Sequence, residues 1–104
     1  MIQVVIQKNQ DEIQSITVTG HAEFDSHGQD LVCAGVSSIL FGTLNALDEI
    51  VTDSCDLIVE KNKIKIQVKQ ACELTQTILQ VTTIQLKTIE EQYKDYIKII
   101  RQEV

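Results

Sequence analysis

The chain has 104 residues, of which 43% are hydrophobic and 4% aromatic, and it carries a net charge of −6. This length suits one compact domain over residues 1–104, and the composition predicts an aliphatic core. The basic residues form no patch or stripe along the sequence, which argues against direct nucleic-acid binding. An acidic domain of this kind attracts basic partners.

Two β-hairpins are predicted from short runs of β-branched residues. The first has strands near 2–8 and 12–20, with Asn9, Gln10 and Asp11 as its turn, and Gly20 closes the second strand. The other hairpin has strands over 56–60 and 64–69. In the second of these strands, apolar residues alternate with lysines.

Helical spacing of apolar residues predicts two amphipathic helices. The first begins at Asp30 as N-cap and runs to about Thr52, and the second begins near Gln70. The pattern of segment 96–102 fits both a helix and a strand. We favour a short final strand, because one helix over 70–101 would be about 48 Å long, too long for so small a domain. The order ββαββα, with this possible strand, predicts an α+β fold in which helices cover one face of a sheet.

The uncharged run 31–47 lies at the lower length limit for a membrane span and contains polar side chains, so we interpret it as a buried helix. The N-terminal MIQVVIQKNQ has no apolar signal core. Three cysteines without a closely spaced pair predict reduced thiols. These features indicate a cytoplasmic protein without a membrane partner.

Small residues recur along the first helix at Gly35, Ser38, Gly42 and Ala46. Two glycines inside a helix, each costing about 1 kcal/mol against alanine, suggest a steric requirement. Close packing within the chain and a helix contact in a homodimer both explain the pattern.

The residues with potentially catalytic side chains are concentrated in GHAEFDSHGQDLVCAGVSS, residues 20–38, which contains both histidines and one of the three cysteines. With Asp30 as N-cap, Cys33 falls in the first helical turn, where unpaired N–H groups and the helix dipole favour the thiolate. His21, at the end of a strand, is placed to act as general base for this nucleophile. A cysteine without a close partner is commonly a small buried side chain, and Cys55 and Cys72 are interpreted in this way. For Cys33 the buried side chain and the reactive thiol both stay open at this point.

The intervening segment is predicted to be a mobile loop that covers the site, because it lacks apolar periodicity. It consists of Ala22, Glu23, Phe24, Asp25, Ser26, His27, Gly28 and Gln29.

Two further residues have alternative roles. Asp30 either caps the helix or orients His21, and the sequence does not distinguish these roles. Ser37 lies one turn after Cys33, where its hydroxyl either bonds back to the helix or orients a group of the site. A metal site at His21, His27 and Cys33 is disfavoured because zinc ligands usually occur in closer pairs, so no metal or cofactor is predicted.

These residues resemble a known family. The segments Gly20-His21-Ala22 and 28–37, GQDLVCAGVS, are similar to the motif of the Prp (YsxB-like) family of ribosomal-processing cysteine proteases. The resemblance continues through Leu40-Phe41-Gly42 and Asn45-Ala46 and covers the whole chain in its layout.

The resemblance implies a cysteine endopeptidase that removes the N-terminal extension of large-subunit ribosomal protein twenty-seven after an aromatic pair. It implies a homodimer with Cys33 as nucleophile, His21 as general base and a mobile loop over the site. The main alternative is a non-catalytic, ribosome-associated binding protein, whose function would survive Cys33→Ala.

Overall fold

The computed structural model describes residues 1–20 and 27–104, with side chains described from Leu31 onward in the second range. The elements are β1 (Ile2–Asn9), β2 (Glu12–Thr19), α1 (His27–Ile50), β3 (Cys55–Glu60), β4 (Lys63–Val68), α2 (Glu73–Gln92) and β5 (Ile97–Glu103). The α+β prediction is confirmed, and so is the strand at the C-terminal end.

One five-stranded sheet has the strand order β3-β4-β2-β1-β5. The pair β1–β5 is parallel, and the pairs β1–β2, β2–β4 and β3–β4 are antiparallel. Because side chains alternate along a strand, this register gathers the apolar residues on one face. The buried sheet residues on that face are Ile2, Val4, Ile6, Ile16, Val18, Ile64, Ile66 and Ile97.

The two helices share a hydrophobic core with this face. From α1 the core receives Val32, Cys33, Val36, Leu40, Leu44 and Leu47, and from α2 it receives Leu79 and Leu86. Between the helices, the hydroxyls of Thr43 and Thr82 are hydrogen-bonded to each other at 2.6 Å, with one of them as the donor. The hydroxyl that accepts this bond donates to the carbonyl four residues earlier, that of Ile39 for Thr43 or Ile78 for Thr82. The buried polar groups at this contact are therefore paired.

Among the described residues, the segment Leu31–Ile50 of α1 is long and apolar enough to cross a membrane. Core helices pass the same test of length and composition. The apolar face of α1 contributes to the core that it shares with the sheet, and Val36 and Leu40 are fully buried there. This packing is what the interpretation of 31–47 as a buried helix predicts.

Both helices begin at positions other than those predicted. The first starts at His27 rather than at Asp30, although Gly28 in its first turn has low helix propensity. The second starts at Glu73 with Cys72 as N-cap, rather than near Gln70. The N–H groups of Lys69 and Gln70 both donate to the Ser54 carbonyl, at 2.9 and 3.1 Å. These bonds hold the connection in a non-helical conformation until residue 72.

Candidate active site

Cys33 is the seventh residue of α1 and lies on the buried face of the helix. Its side chain is 0% exposed and belongs to the hydrophobic core. The prediction that Cys33 lies in the first helical turn is therefore wrong. The influence of the helix dipole falls off within that turn, so the position of Cys33 does not itself explain a reactive thiol.

Asp30 is the fourth residue of α1, and its backbone is already helical. An N-cap has non-helical backbone angles and precedes the first helical residue. The capping role predicted for Asp30 is therefore wrong. Its alternative role, orienting His21, stays a prediction.

The residues from His21 to Gln29 divide into two groups. His21, Ala22, Glu23, Phe24, Asp25 and Ser26 lie outside the described residues. His27, Gly28 and Gln29 form the first turn of α1, so the predicted mobile loop over 22–29 is wrong for its last three residues. The side chains of His21 and His27 are outside the described part of the structure. The pairing of His21 with Cys33 and the metal site at His21, His27 and Cys33 therefore stay untested.

Gly20 fixes the point at which the chain leaves β2, immediately before His21. Its φ of +83° is a left-handed value that residues with a Cβ rarely adopt. A Cβ at this position would also collide with the carbonyl oxygen of Met1. The glycine of the motif is therefore required for steric reasons, whereas the sequence alone indicates only the end of a strand.

Ser37 lies four residues after Cys33, one turn further along α1, and is half-buried. This places it on the same side of the helix as Cys33. Whether its hydroxyl orients a group of the site stays a prediction.

The other two cysteines have contrasting environments. Cys55 is partly buried, and burial raises the pKa of its thiol, partly offset by a hydrogen bond from Ser54. Cys72 is exposed at the start of α2, so the prediction that its side chain is buried is wrong. Hydrogen bonds with the Thr75 hydroxyl, 3.1 Å away, and with the Thr75 and Leu74 backbones lower the pKa of the Cys72 thiol. Fast alkylation alone will consequently not identify the nucleophile of this protein.

The family model described as Cysteine protease Prp matches residues 1–98 of the chain. The chain belongs to the Prp family. Its members are cysteine proteases, and the chain is accordingly a hydrolase of this type.

Two curated relatives are both named Ribosomal processing cysteine protease Prp. The protein from Bacillus subtilis is 36% identical over 110 residues, covering 95% of this chain and 96% of the relative. The protein from Staphylococcus aureus (strain Mu50) is 32% identical over 103 residues, covering 95% and 97%. The match thus extends over almost the full length of each protein.

Solved structures of the family agree with this fold. The S. aureus Prp crystal structure in complex with a substrate peptide has a TM-score of 0.91 at 30% identity, covering 98% of this chain and all of that one. A second S. aureus structure, with a covalently linked product peptide, has a TM-score of 0.87 at 32% identity and the same coverage. The sheet-and-helix architecture is therefore that of the family.

Proposed function

We propose that this chain is a cytoplasmic cysteine endopeptidase that removes the N-terminal extension of large-subunit ribosomal protein twenty-seven during ribosome assembly. The observation that carries the proposal is the near full-length similarity to proteins named ribosomal processing cysteine proteases. The net charge of −6 is compatible with a basic ribosomal substrate.

In this proposal Cys33 is the nucleophile and His21 the general base. His21 takes the proton of the thiol, and the sulfur attacks the scissile carbonyl to form a tetrahedral adduct. The adduct collapses to a thioester as protonated His21 gives its proton to the leaving amine. Water, deprotonated by His21, then hydrolyses the thioester and regenerates the thiol.

The burial of Cys33 adds a requirement to this mechanism. A sulfur that is 0% exposed cannot reach a substrate carbonyl. Substrate binding therefore has to expose the sulfur before the attack. Asp30 and Ser37, both on α1 with Cys33, are proposed as residues that position the reacting groups in that state.

Mass spectrometry of a peptide that spans the extension junction tests this function. We expect one cut after the aromatic pair, and no cut by Cys33→Ala or His21→Ala. Cys72→Ala is the matched control, since it removes a thiol that is exposed and outside the motif. If the full-length ribosomal protein also stays intact with the wild-type chain, the proposed substrate is wrong.

We also propose that the protein is a homodimer, joined at the groove between α1 and α2. This groove has a volume of about 390 Å³ and its lining is uncharged. Gly42 lies in it, and a Cβ added to this glycine would have nothing within 4 Å. Phe41 and Val81 are exposed nearby. At Gly35, by contrast, an added Cβ would lie 3.3 Å from the Ile89 side chain, so the small size of this residue serves packing within the chain.

Sedimentation of Gly42→Trp tests the dimer. The indole would occupy the groove and should leave a folded monomer. Gly42→Ala is the matched control, because a single methyl group fits the open space and should leave the dimer in place. Dimers of unchanged affinity in Gly42→Trp would place the interface elsewhere.

A further inference from the structure

Three basic side chains that are far apart in the sequence converge on one small pocket. The pocket has a volume of about 200 Å³ and is lined by Lys8 near the end of β1, Arg101 on β5 and Lys87 on α2. The protein has only nine lysines and arginines against fifteen acidic residues, so a third of its basic side chains meet here. Such a concentration is unexpected in a chain with a net charge of −6.

No carboxylate balances these charges within the pocket. Every lining residue other than the three cations is uncharged. Among the described residues, the ion pair that the structure contains is between Lys69 and Asp56, at another place on the sheet. Glu103 lies opposite Lys8 in the sheet register, yet the two form no ion pair in the described part of the chain.

The floor of the pocket is apolar. Ile6 and Ile13, both buried, come from the first hairpin, and Ile84 of α2 is largely exposed beside them. The pocket therefore combines an aliphatic surface with an uncompensated positive rim. This combination is complementary to a molecule that has an anionic group at one end and an apolar body at the other.

The location separates this pocket from the protease site. The residue that precedes His21, Gly20, packs against Met1 at the start of β1, whereas Lys8 lies near the end of that strand. The strand rises about 3.3 Å per residue, so the seven steps between Met1 and Lys8 span roughly 23 Å.

We infer that the pocket formed by β1, β5 and α2 is a binding site for a small amphipathic anion, such as an alkyl phosphate or an alkyl carboxylate. The apolar body lies on the exposed Ile84, with the nearly covered Ile6 and Ile13 beneath it, and the anionic group lies among Lys8, Lys87 and Arg101. The inference goes beyond the proposed protease function and does not depend on it.

Hexyl phosphate is the first probe, titrated into protein with labelled isoleucine methyl groups. We expect saturable shifts in the NMR signals of Ile13 and Ile84. Inorganic phosphate, which lacks the hexyl chain, and hexanol, which lacks the anionic group, should both bind more weakly than hexyl phosphate. Comparison with hexanoate identifies whether a phosphate or a carboxylate is the preferred anionic group.

Charge-neutral variants locate the site. Arg101→Gln and Lys87→Gln should each weaken hexyl phosphate binding about fivefold, the effect of one close charge pair in a water-accessible site. Lys98→Gln is the matched control, because it removes the same charge from the same strand outside this pocket and should not change the affinity. Amide spectra of the variants check that the fold is retained.

Three results would overturn the inference. They are an absence of saturable binding, equal binding of hexanol, and an equal loss of affinity in Lys98→Gln and the pocket variants. The last result would indicate a general charge effect rather than a site.

Discussion

Two single residues, one at the end of β2 and one in the second turn of α1, constrain the region that contains the proposed catalytic residues. Gly20 holds the strand end by a close approach to Met1, and Cys33 projects into the core from α1. Both constraints come from packing between parts of the chain that are distant in the sequence. They make the surroundings of the proposed nucleophile sensitive to small changes in side-chain size.

Gly20→Ala should destabilise the protein by at least about 2 kcal/mol. The left-handed backbone costs a residue with a Cβ roughly 1–2 kcal/mol, and the collision with the Met1 carbonyl adds to this cost. Urea unfolding of the wild type and the variant measures the difference. A variant of unchanged stability would show that the chain leaves β2 in another conformation.

The pH dependence of alkylation should give the Cys72 thiol an apparent pKa below the ordinary cysteine value. It should give the Cys55 thiol an apparent pKa above that value. The Thr75 contact lowers the pKa of Cys72, and burial raises the pKa of Cys55. At neutral pH the Cys72 thiolate is therefore more populated, and Cys72 reacts faster. Alkylation rates by peptide mass spectrometry across a range of pH check both directions.

Thr75→Val is the control for that measurement. It keeps the shape of the buried Thr75 side chain but removes the hydroxyl 3.1 Å from the Cys72 sulfur. The apparent pKa of Cys72 should rise toward its ordinary value. An unaltered profile for Cys72 would contradict the role assigned to the hydroxyl.

At the level of elements, α1 combines a buried face with a groove, and the two glycines of its small-residue stripe, Gly35 and Gly42, serve different surfaces. Gly35 faces α2 within the chain, whereas Gly42 is open to solvent. The stripe of small residues is thus not a single packing device. Its two halves respond differently to the same substitution.

Gly42→Ala should stabilise the monomer by about 1 kcal/mol, because alanine has the higher helix propensity and nothing obstructs its methyl group. Gly35→Ala should gain less or lose stability, since its Cβ would lie 3.3 Å from the Ile89 side chain. Urea unfolding at concentrations low enough for the monomer measures both. Equal gains in the two variants would mean that Ile89 moves aside without cost.

A hydrogen bond joins α2 to the outer edge of the sheet. The Glu90 carboxylate accepts the Ile99 backbone N–H at 2.8 Å, which satisfies a donor on the edge strand β5. Glu90→Ala should cost roughly 1.5–3 kcal/mol, the usual value for hydrogen bonds to charged groups. Thermal unfolding checks this loss. Glu91→Ala, on the adjacent exposed residue, is the control and should have little effect.

At the level of the whole molecule, the sheet joins the two ends of the chain. The parallel pairing of β1 with β5 sets Ile2 opposite Ile97 and Lys8 opposite Glu103. The family model matches residues 1–98 and thus includes little of β5. The structural role of this strand extends well beyond that match.

A chain shortened to residues 1–95 should fail to fold. It would expose one edge of β1 and remove Ile97, which is 1% exposed in the core. Circular dichroism and denaturant titration measure the loss of structure. A chain shortened only by Val104, whose side chain is 64% exposed, is the control and should fold. A cooperative transition in the 1–95 chain would show that β5 is dispensable.

The sequence predicts most of the sheet because two-residue alternation is a local signal. The strands of both hairpins lie within one residue of their predicted ends. Lysine and isoleucine alternate over residues 63–66, for example, at the start of β4. The final strand is also predictable, from the length that a continuous helix would require. Its parallel partner is not, since that pairing joins residues about 95 positions apart.

Helix starts and the site are less predictable from the sequence, because long-range contacts decide them. The carbonyl of Ser54 holds Lys69 and Gln70 outside α2, and no local pattern reveals this bond. Gly28 argues against a helix over 27–29, yet α1 begins there. The motif singles out Cys33 as the cysteine of the family pattern, but its full burial depends on the tertiary packing of α1.

The pairing of β1 with β5 also has a consequence for the time course of folding. The first strand emerges during synthesis long before residues 97–103 exist, and until then its outer edge has no partner. Contacts between residues so distant in the chain form late and slow the folding of a domain. This enzyme should therefore complete its native sheet only once residues 97–103 have left the ribosome, and a chain that still lacks them should be the form that chaperones bind.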